Sequence, residues 1–213
     1  MLVDSHVNLH GEKFADDLDD AVMRAREAGV GTQLNICCNI KDFPDVVAVA
    51  EQFPDMWASV GTHPHDAKDN PDIKPGDLIE LSHNSKVIGI GETGLDYHYT
   101  ADSKAVQQES LLIHIEAARQ TGLPLIIHSR DADEDMARIL TDAHKAGAFD
   151  CIMHCFSSGA DLARTAIDLG FYLSMSGIAA FPRSQEVPDI FAAAPVERIL
   201  VETDAPYLAP PPF

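Results

Sequence analysis

The chain has 213 residues, which is enough for one domain with a substantial core or for two small ones. Hydrophobic residues make up 46% of it and charged residues 23%, which is ordinary for a globular protein, and no apolar run reaches the roughly 20 residues needed to cross a bilayer. The net charge of −19 argues against loose binding along nucleic-acid backbones, which needs clustered Lys and Arg, but it is compatible with a nuclease whose carboxylates hold divalent cations.

A strand-then-helix alternation runs from one end of the chain to the other. Runs rich in β-branched residues and Leu occur at residues 1–8, 31–38, 56–62, 87–92, 123–128, 151–155, 171–176 and 199–203. Helical patterns lie between most of them, and four end before a glycine that predicts a left-handed cap: residues 16–28 before Gly29, a helix from the N-cap Ser103 through Ala118 before Gly122, one from Asp133 before Gly147, and one from Ala160 before Gly170. Residues 70–76 are predicted to be a surface turn or a helix lead-in, and residues 180–188 a loop around Pro182.

Eight such repeats without a linker predict one α/β domain over residues 1–213, a (β/α)8 barrel of the TIM type. No helical pattern follows the eighth strand. Alternation along that strand predicts an outer face of Ile199, Val201 and Thr203 and an inner face of Leu200, Glu202 and Asp204. An uncovered apolar strand face is rare in soluble monomers, so we expect residues beyond Phe213, or another chain, to cover it.

The N-terminus has no basic stretch followed by an apolar signal core, and the four cysteines do not form the dense framework of a small secreted protein. We therefore expect a cytoplasmic protein with reduced thiols and no membrane partner. Cys151 and Cys155 flank His154, but their spacing does not match a structural zinc pair, so buried thiols are the favoured interpretation.

Metal-ligating residue types stand at the ends of several predicted strands. His6 and Asn8 are two residues apart at the end of the first, so their side chains share one face and can reach one metal. Glu92 ends the fourth within the sequence GETGLD, and a carboxylate in a buried strand is costly unless it is paired or metal-bound. Its two oxygens can bridge two cations, which makes Glu92 the predicted shared ligand. Asp96 is predicted to hold the following loop or to support a ligand.

Three further predicted strands end in a donor. His128 and His154 each follow an apolar run, which suits a buried imidazole ligand. Glu202 and Asp204 share one face, with Asp204 at the strand exit as the better ligand or general base. Each residue alone is also explained as an ordinary hydrogen-bonded side chain. Because barrel closure brings all these strand ends to one rim, together they predict a polynuclear metal site.

Two residues are predicted to meet a substrate phosphate. His63 follows the third strand in the sequence GTHPH and can face a phosphate, whereas His65 is equally well explained as a surface turn residue. Arg130 offers a planar fork suited to a phosphate, and its alternative is a salt bridge to Asp131 or Asp96.

In chain order, the motifs DSHVNLH, GTHPHD, GETGLDY, IIHSRDA, HCFS and ETDAPYL extend over essentially the whole chain, and the set is highly specific. With these motifs the chain resembles the TatD family of metal-dependent deoxyribonucleases, within the amidohydrolase-like barrels. The resemblance implies a TIM-type barrel with two or three divalent cations that hydrolyses phosphodiesters, often as a 3′-to-5′ exonuclease on DNA. It also implies metal ligands at His6, Glu92, His128, His154 and Asp204, and phosphate contacts from His63 and Arg130.

Three features depart from the family pattern. Many members have His-x-His in the first motif, whereas this chain has Asn8 at the second position; some members share that Asn, and it is expected to be a weaker oxygen ligand. Ser158 stands between the HCFS motif and Gly159, where members usually have the glycine sooner. The Arg-Asn-Glu-Pro motif and closing helices that follow ETDAPYL in the family do not occur in this sequence.

The predicted activity is hydrolysis of DNA phosphodiester bonds at single-stranded ends by a water that bound metal ions make nucleophilic. Glu92, Asp204 and His63 are the predicted catalytic residues, with Asp204 orienting or deprotonating the water. The expected cofactors are two or three ions of Mg²⁺, Mn²⁺ or Zn²⁺, among which the sequence does not choose. We expect a monomer, and the preference between DNA and RNA stays open.

Two other functions fit parts of the sequence. One is a binuclear hydrolase of a lactone, amide, phosphotriester or aminoacyl ester. Related enzymes of that kind often bridge their metals with a modified Lys on the fourth strand, where this chain has Glu92. The other is a nucleic-acid or protein binder that has lost its metals, which the presence of His6 and Glu92 argues against.

Overall fold

The computed structural model describes residues 1–182, 184 and 186–212. Eight parallel strands form one sheet in which each strand pairs with the next along the chain. Their bounds are β1 Leu2–Val7, β2 Val30–Asn35, β3 Met56–Val60, β4 Val87–Asp96, β5 Leu125–Arg130, β6 Cys151–Met153, β7 Tyr172–Met175 and β8 Ile199–Val201. Val7 forms a bridge with Ala205, so the first and last strands meet and the barrel is nearly closed. The TIM-type fold predicted from the sequence is confirmed.

Seven α-helices occur among the described residues, between the strands: α1 Leu18–Glu27, α2 Phe43–Gln52, α3 Pro75–Ser82, α4 Lys104–Thr121, α5 Asp133–Ala146, α6 Ala160–Asp168 and α7 Glu186–Ala193. The four helices predicted from their glycine stops are α1, α4, α5 and α6. Helices α2 and α3 have a proline in the first turn, where the missing N–H has no intrahelical partner to lose. Within residues 70–76, an exposed turn at 71–72 leads into α3, so both predicted alternatives apply.

The predicted left-handed cap holds at Gly122, where φ is 70° and the N–H donates to the Ala118 carbonyl. It is wrong at Gly147, which is extended with φ of 176°. The reason is Arg119 of α4, whose guanidinium donates to the carbonyl of Gly147 at 2.9 Å and to that of Ala143. Because the Arg119 side chain donates hydrogen bonds to carbonyl groups at the end of α5, that end needs no residue in the left-handed conformation.

Ser103 occupies the N-cap of α4 as predicted, although its hydroxyl donates to the Thr100 carbonyl and accepts from the Gln107 side chain rather than from a backbone N–H. One other local prediction is wrong. Residues 180–188 are not all loop, because α7 begins at Glu186. Pro188 lies in the first turn of that helix, where its ring and missing N–H are tolerated.

Parallel pairing brings the carboxyl ends of all eight strands to the same rim of the barrel. Most buried apolar side chains form one cluster shared by strands and helices, including Ile127 of β5, Leu111 of α4 and Met136 of α5. This packing fixes the positions of the strand ends at the rim, where there is a cavity of about 2180 Å³. Val201 and Thr203 are exposed, as strand alternation predicts. None of the described helices has the length and apolar character to span a membrane.

Candidate metal centre

Glu92 lies at the centre of the rim and is almost fully buried, with 3% of its surface exposed. Four imidazoles surround its carboxylate. His6 Nε2 is 3.3 Å from Oε2, and three nitrogens lie near Oε1: His63 Nε2 at 3.5 Å, His128 Nδ1 at 3.3 Å and His154 Nε2 at 3.6 Å. Asp204 Oδ1 is 3.6 Å from His6 Nε2. Residues predicted at the ends of six different strands therefore meet in one place.

These separations fit donor atoms arranged around cations better than hydrogen-bonded partners. N–H···O bonds are normally about 2.7–3.2 Å long. Ligand atoms that each lie about 2.1 Å from one tetrahedral ion are about 3.4 Å apart. Three sets of donor atoms are close enough for each to hold an ion: His63, Glu92 and His128; His6, His154 and Glu202; and His154, Cys155 and Asp204. Imidazole nitrogens and carboxylate oxygens match the divalent ions predicted from the sequence.

His63 differs from the other imidazoles because its second nitrogen is already an acceptor. Its Nδ1 receives the backbone N–H of His65 at 3.2 Å. Burial lowers the pKa of His63 to about 3, so the ring is neutral and carries its proton on Nε2. Nε2 then points an N–H into the centre and has no lone pair for a metal. This geometry supports the predicted contact with a phosphate, although distance alone would let His63 join a metal set.

His128 and His154 each have a carboxylate behind the ring. His128 Nε2 lies 3.2 Å from Asp96 Oδ2. His154 Nδ1 forms an ion pair with Glu202 Oε1 at 2.7 Å. A carboxylate in this position fixes the ring orientation and directs the opposite nitrogen at a metal. Both rings are thus aimed at Glu92.

Glu202 and Asp96 are the two supporting carboxylates. Glu202 Oε1 accepts the Cys155 N–H at 2.7 Å, and its Oε2 accepts the Ser174 hydroxyl at 2.6 Å. The sequence placed Glu202 on the inner face but favoured Asp204, so it missed this supporting role. Asp96 combines both of its predicted roles, since Oδ2 contacts His128 while Oδ1 accepts the N–H of Tyr99 at 2.8 Å.

The protonation of the centre follows from burial and neighbouring charge. Burial by itself would raise the pKa of Glu92, but the charge of neighbouring imidazoles, His154 first among them, holds it well below its usual range. Burial opposes a charged ring at His154, yet Glu202 and Glu92 outweigh it and raise the pKa of His154 to about 10. Burial also raises the pKa of Asp204. The carboxylates thus stabilise positive charge in the cavity, and a bound divalent cation would supply that charge.

Cys38 is a residue of the centre that the sequence did not reveal. Its thiol lies 3.4 Å from Asn8 Oδ1 and 3.5 Å from Glu92 Oε2, while Asn8 Nδ2 faces Asp204 Oδ1 at 3.3 Å. Cys155 also lies there as a free thiol, its Sγ 2.9 Å from the Ser176 hydroxyl. The sequence position of Cys38 could have revealed it, because Cys38 follows the end of β2 just as the other donors follow the ends of their strands.

Arg130 and His65 have definite partners. The Arg130 guanidinium lies over the Tyr99 ring, 4.7 Å from its centroid, and no carboxylate in the described part of the chain forms an ion pair with it. Asp131 pairs with His98 instead, at 2.9 Å. The predicted alternative of a salt bridge from Arg130 is therefore absent there. His65 contacts Asp96 Oδ2 at 2.8 Å, which makes it more than a surface turn residue.

The chain is similar to known proteins in both sequence and structure. The family model for TatD-related DNases matches residues 3–213. The uncharacterized metal-dependent hydrolase YabD of Bacillus subtilis is 36% identical over all of this chain and 83% of its own length. The 3′-5′ ssDNA/RNA exonuclease TatD of Salmonella typhimurium is 31% identical over 98% of this chain and 80% of its own. The crystal structure of YJJV, a TatD homologue from Escherichia coli, superposes with a TM-score of 0.91 at 28% identity, over 100% of this chain and 82% of that one.

Proposed function

The chain belongs to the TatD-related DNase family of metal-dependent hydrolases, and from that premise we propose that it shortens single-stranded DNA from its 3′ end by hydrolysing phosphodiester bonds. One observation carries the proposal: a buried, ionised Glu92 surrounded by four imidazoles at 3.3–3.6 Å, with Asp204 beside His6. The name of the Salmonella relative, which describes an exonuclease on single-stranded DNA and RNA, supports the choice of substrate.

The donors divide into two groups around Glu92. His128 and His154 would hold one ion, and His6, Asn8 and Asp204 would hold the other, with Glu92 shared between them. Bound divalent ions supply a water of lowered pKa and neutralise charge on the phosphate. They can be Mg²⁺, Mn²⁺ or Zn²⁺, because imidazole and carboxylate donors accept all three.

The chain's own residues then act on the phosphate and on the proton. His63 donates its Nε2 proton to a phosphate oxygen, which its neutral state allows. Arg130 pairs with the phosphate from the rim. Asp204 accepts the proton of the attacking water, and burial, which raises its pKa, makes it a stronger base than an exposed carboxylate.

The test combines metal analysis with degradation of DNA labelled at its 5′ end. The protein is stripped with a chelator, reloaded with each ion, and analysed for bound metal. We expect products that shorten one nucleotide at a time only in the reloaded protein. Glu92→Gln keeps the shape but removes the shared charge, so bound metal should fall and hydrolysis should drop by at least about a hundredfold.

Glu27→Gln is the matched control, because Glu27 is exposed at the end of α1, away from the rim. It should bind metal and hydrolyse DNA like the unchanged protein. Near-normal turnover in Glu92→Gln would rule out the shared role of Glu92. Gel filtration and cell fractionation test the remaining predictions, a monomer acting in the cytoplasm.

A further inference from the structure

Two exposed tyrosines stand at the mouth of the cavity, and a cation lies over each ring. Tyr99 is 63% exposed with Arg130 4.7 Å from its centroid, and Tyr207 is 54% exposed with the Lys13 ammonium 4.3 Å from its centroid. All four side chains line the same cavity as Glu92. The mouth of the cavity therefore carries two tyrosine–cation pairs of the same kind, which indicates a shared function.

The pairs lie on opposite sides of the metal centre. Tyr99 follows β4 and Tyr207 follows β8, and these strands are four places apart in either direction around a ring of eight. The partner cations come from neighbouring positions on that ring, since Arg130 ends β5 and Lys13 follows β1. A ligand that touched both pairs would therefore pass across Glu92.

Each tyrosine is tied to a residue of the centre by a backbone hydrogen bond. The Tyr99 N–H donates to Asp96 Oδ1 at 2.8 Å, and the other oxygen of Asp96 contacts His128. The Tyr207 N–H donates to the Asp204 carbonyl, also at 2.8 Å. The backbone of each tyrosine is thus anchored three residues from a residue of the centre.

The surroundings select the chemistry of the ligand. The cavity wall carries many carboxylates, among them Asp131, Asp133 and Glu134, so a bare polyanion is repelled except where a cation intervenes. Exposed aromatic rings bind the faces of nucleic-acid bases, and an adjacent cation strengthens the contact and pairs with phosphate. The imidazoles of His65 and His98 meet Tyr99 at right angles and still leave most of the ring exposed.

We propose that Tyr99 and Tyr207 are stacking platforms for unpaired bases on either side of the scissile phosphate, with Arg130 and Lys13 contacting phosphates of the bound strand. The proposal rests on the proposed function and specifies its substrate. A single strand fits, because its bases present free faces that a duplex keeps inside its own stack. The structure thus explains how a chain of net charge −19 holds a polyanion.

The first test measures binding without turnover. Chelator-treated protein is titrated into a single-stranded oligonucleotide carrying 2-aminopurine near its 3′ end, whose fluorescence falls when the base stacks. Tyr99→Ala and Tyr207→Ala should each raise the Kd by about tenfold and reduce the quenching, whereas Tyr99→Phe and Tyr207→Phe should keep both. Circular dichroism confirms that each variant is folded.

Tyr172 supplies the control, because it forms the same kind of pair at the opposite end of the barrel. It begins β7, and the Arg198 guanidinium lies 5.0 Å from its ring centroid. Tyr172→Ala should bind the oligonucleotide like the unchanged protein. If the two alanine variants at the mouth bound the oligonucleotide as tightly as the unchanged protein, or if the phenylalanine variants lost as much affinity as the alanine variants, the stacking role would be overturned.

A second test uses the metal-loaded enzyme and separates this inference from the proposed function. Hydrolysis of the oligonucleotide is compared with that of bis(4-nitrophenyl) phosphate, a phosphodiester without bases. The ratio of the two kcat/KM values should fall at least about fivefold in Tyr99→Ala and Tyr207→Ala, mainly through KM. An unchanged ratio would refute the platforms alone, whereas unchanged protein that hydrolyses neither substrate would refute the nuclease.

Discussion

In the proposed centre, Asn8 is a residue that would set the strength of one metal position. In the TatD family an imidazole often stands there, and a neutral amide oxygen is a weaker donor than an imidazole nitrogen. Here the Asn8 oxygen also faces the Cys38 thiol at 3.4 Å. The position next to His6 should therefore bind its ion less tightly than the one held by His128 and His154.

Asn8→His should strengthen that weaker position. We expect calorimetric titration with Mn²⁺ or Zn²⁺ to show its Kd falling by about tenfold, the size of one added imidazole ligand in a partly formed site. The tighter position should change little and serves as the internal control. Identical affinities and stoichiometry in both proteins would mean that residue 8 is not a ligand.

In the proposed centre, Glu202 would act on the metal through His154 rather than by touching the substrate. Burial by itself would raise its pKa, but the His154 charge and contact lower the pKa of Glu202 to about 2, so the carboxylate is ionised at neutral pH. Glu202→Gln keeps the shape while removing the charge behind the ring. Metal affinity should fall by about 10–100-fold, the usual effect of losing such a partner.

Glu197→Gln is the matched control for that variant, because Glu197 is exposed just before β8. Metal affinity is measured by competition with a chromophoric chelator, and it should be unchanged in the control. If Glu202→Gln also bound metal normally, the carboxylate would be serving only the fold of the Cys155 turn.

At the scale of elements, β4 is the strand on which the centre depends. It runs as far as Asp96 and so carries both Glu92, the proposed shared ligand, and the carboxylate that supports His128. Gly94 between them has φ of 140°, and a Cβ there would lie 1.9 Å from the backbone oxygen of His128 on β5. The close pairing of β4 with β5 at this point is possible only with glycine.

Gly94→Ala should therefore destabilise the barrel and loosen the centre together. We expect a loss of roughly 2 kcal/mol or more in the free energy of unfolding, seen as a Tm lower by at least about 4 °C, with weaker metal binding. Gly76→Ala in α3 is the control, since a Cβ there meets nothing within 4 Å. Equal melting of the two variants would show that β4 and β5 can separate without cost.

At the scale of the whole molecule, charge limits how nucleic acid can bind. The described residues that line the cavity include three Lys or Arg side chains, Lys13, Lys104 and Arg130, in a chain of net charge −19. Each phosphate contact to a single strand contributes about −0.7 to the slope of log K against log salt. Three contacts should give a slope of about −2.

Fluorescence titrations of chelator-treated protein at several salt concentrations measure that slope. Lys13→Ala should make it shallower by about one contact. Lys145→Ala at the exposed end of α5 should leave it unchanged. A slope near −5 would instead indicate contacts spread along the backbone and would contradict binding confined to the cavity.

The fold and most donors of the centre follow from local properties of the sequence. Eight apolar runs separated by helical patterns predicted the barrel, because hydrophobic period and turn residues act over a few neighbours. His6, Glu92, His128, His154 and Asp204 were found because each stands at a strand end, and parallel strands bring those ends to one rim.

Only the tertiary structure decided which atoms meet. Cys38 reaches Asn8 across 30 residues, Asn8 reaches Asp204 across 196, and Tyr99 and Tyr207 lie on opposite sides of the rim because they follow β4 and β8. Local patterns also missed the extended Gly147, because Arg119 of another helix satisfies that turn. Such contacts depend on strand register and barrel closure. These are properties of the assembled sheet that no short stretch of sequence contains.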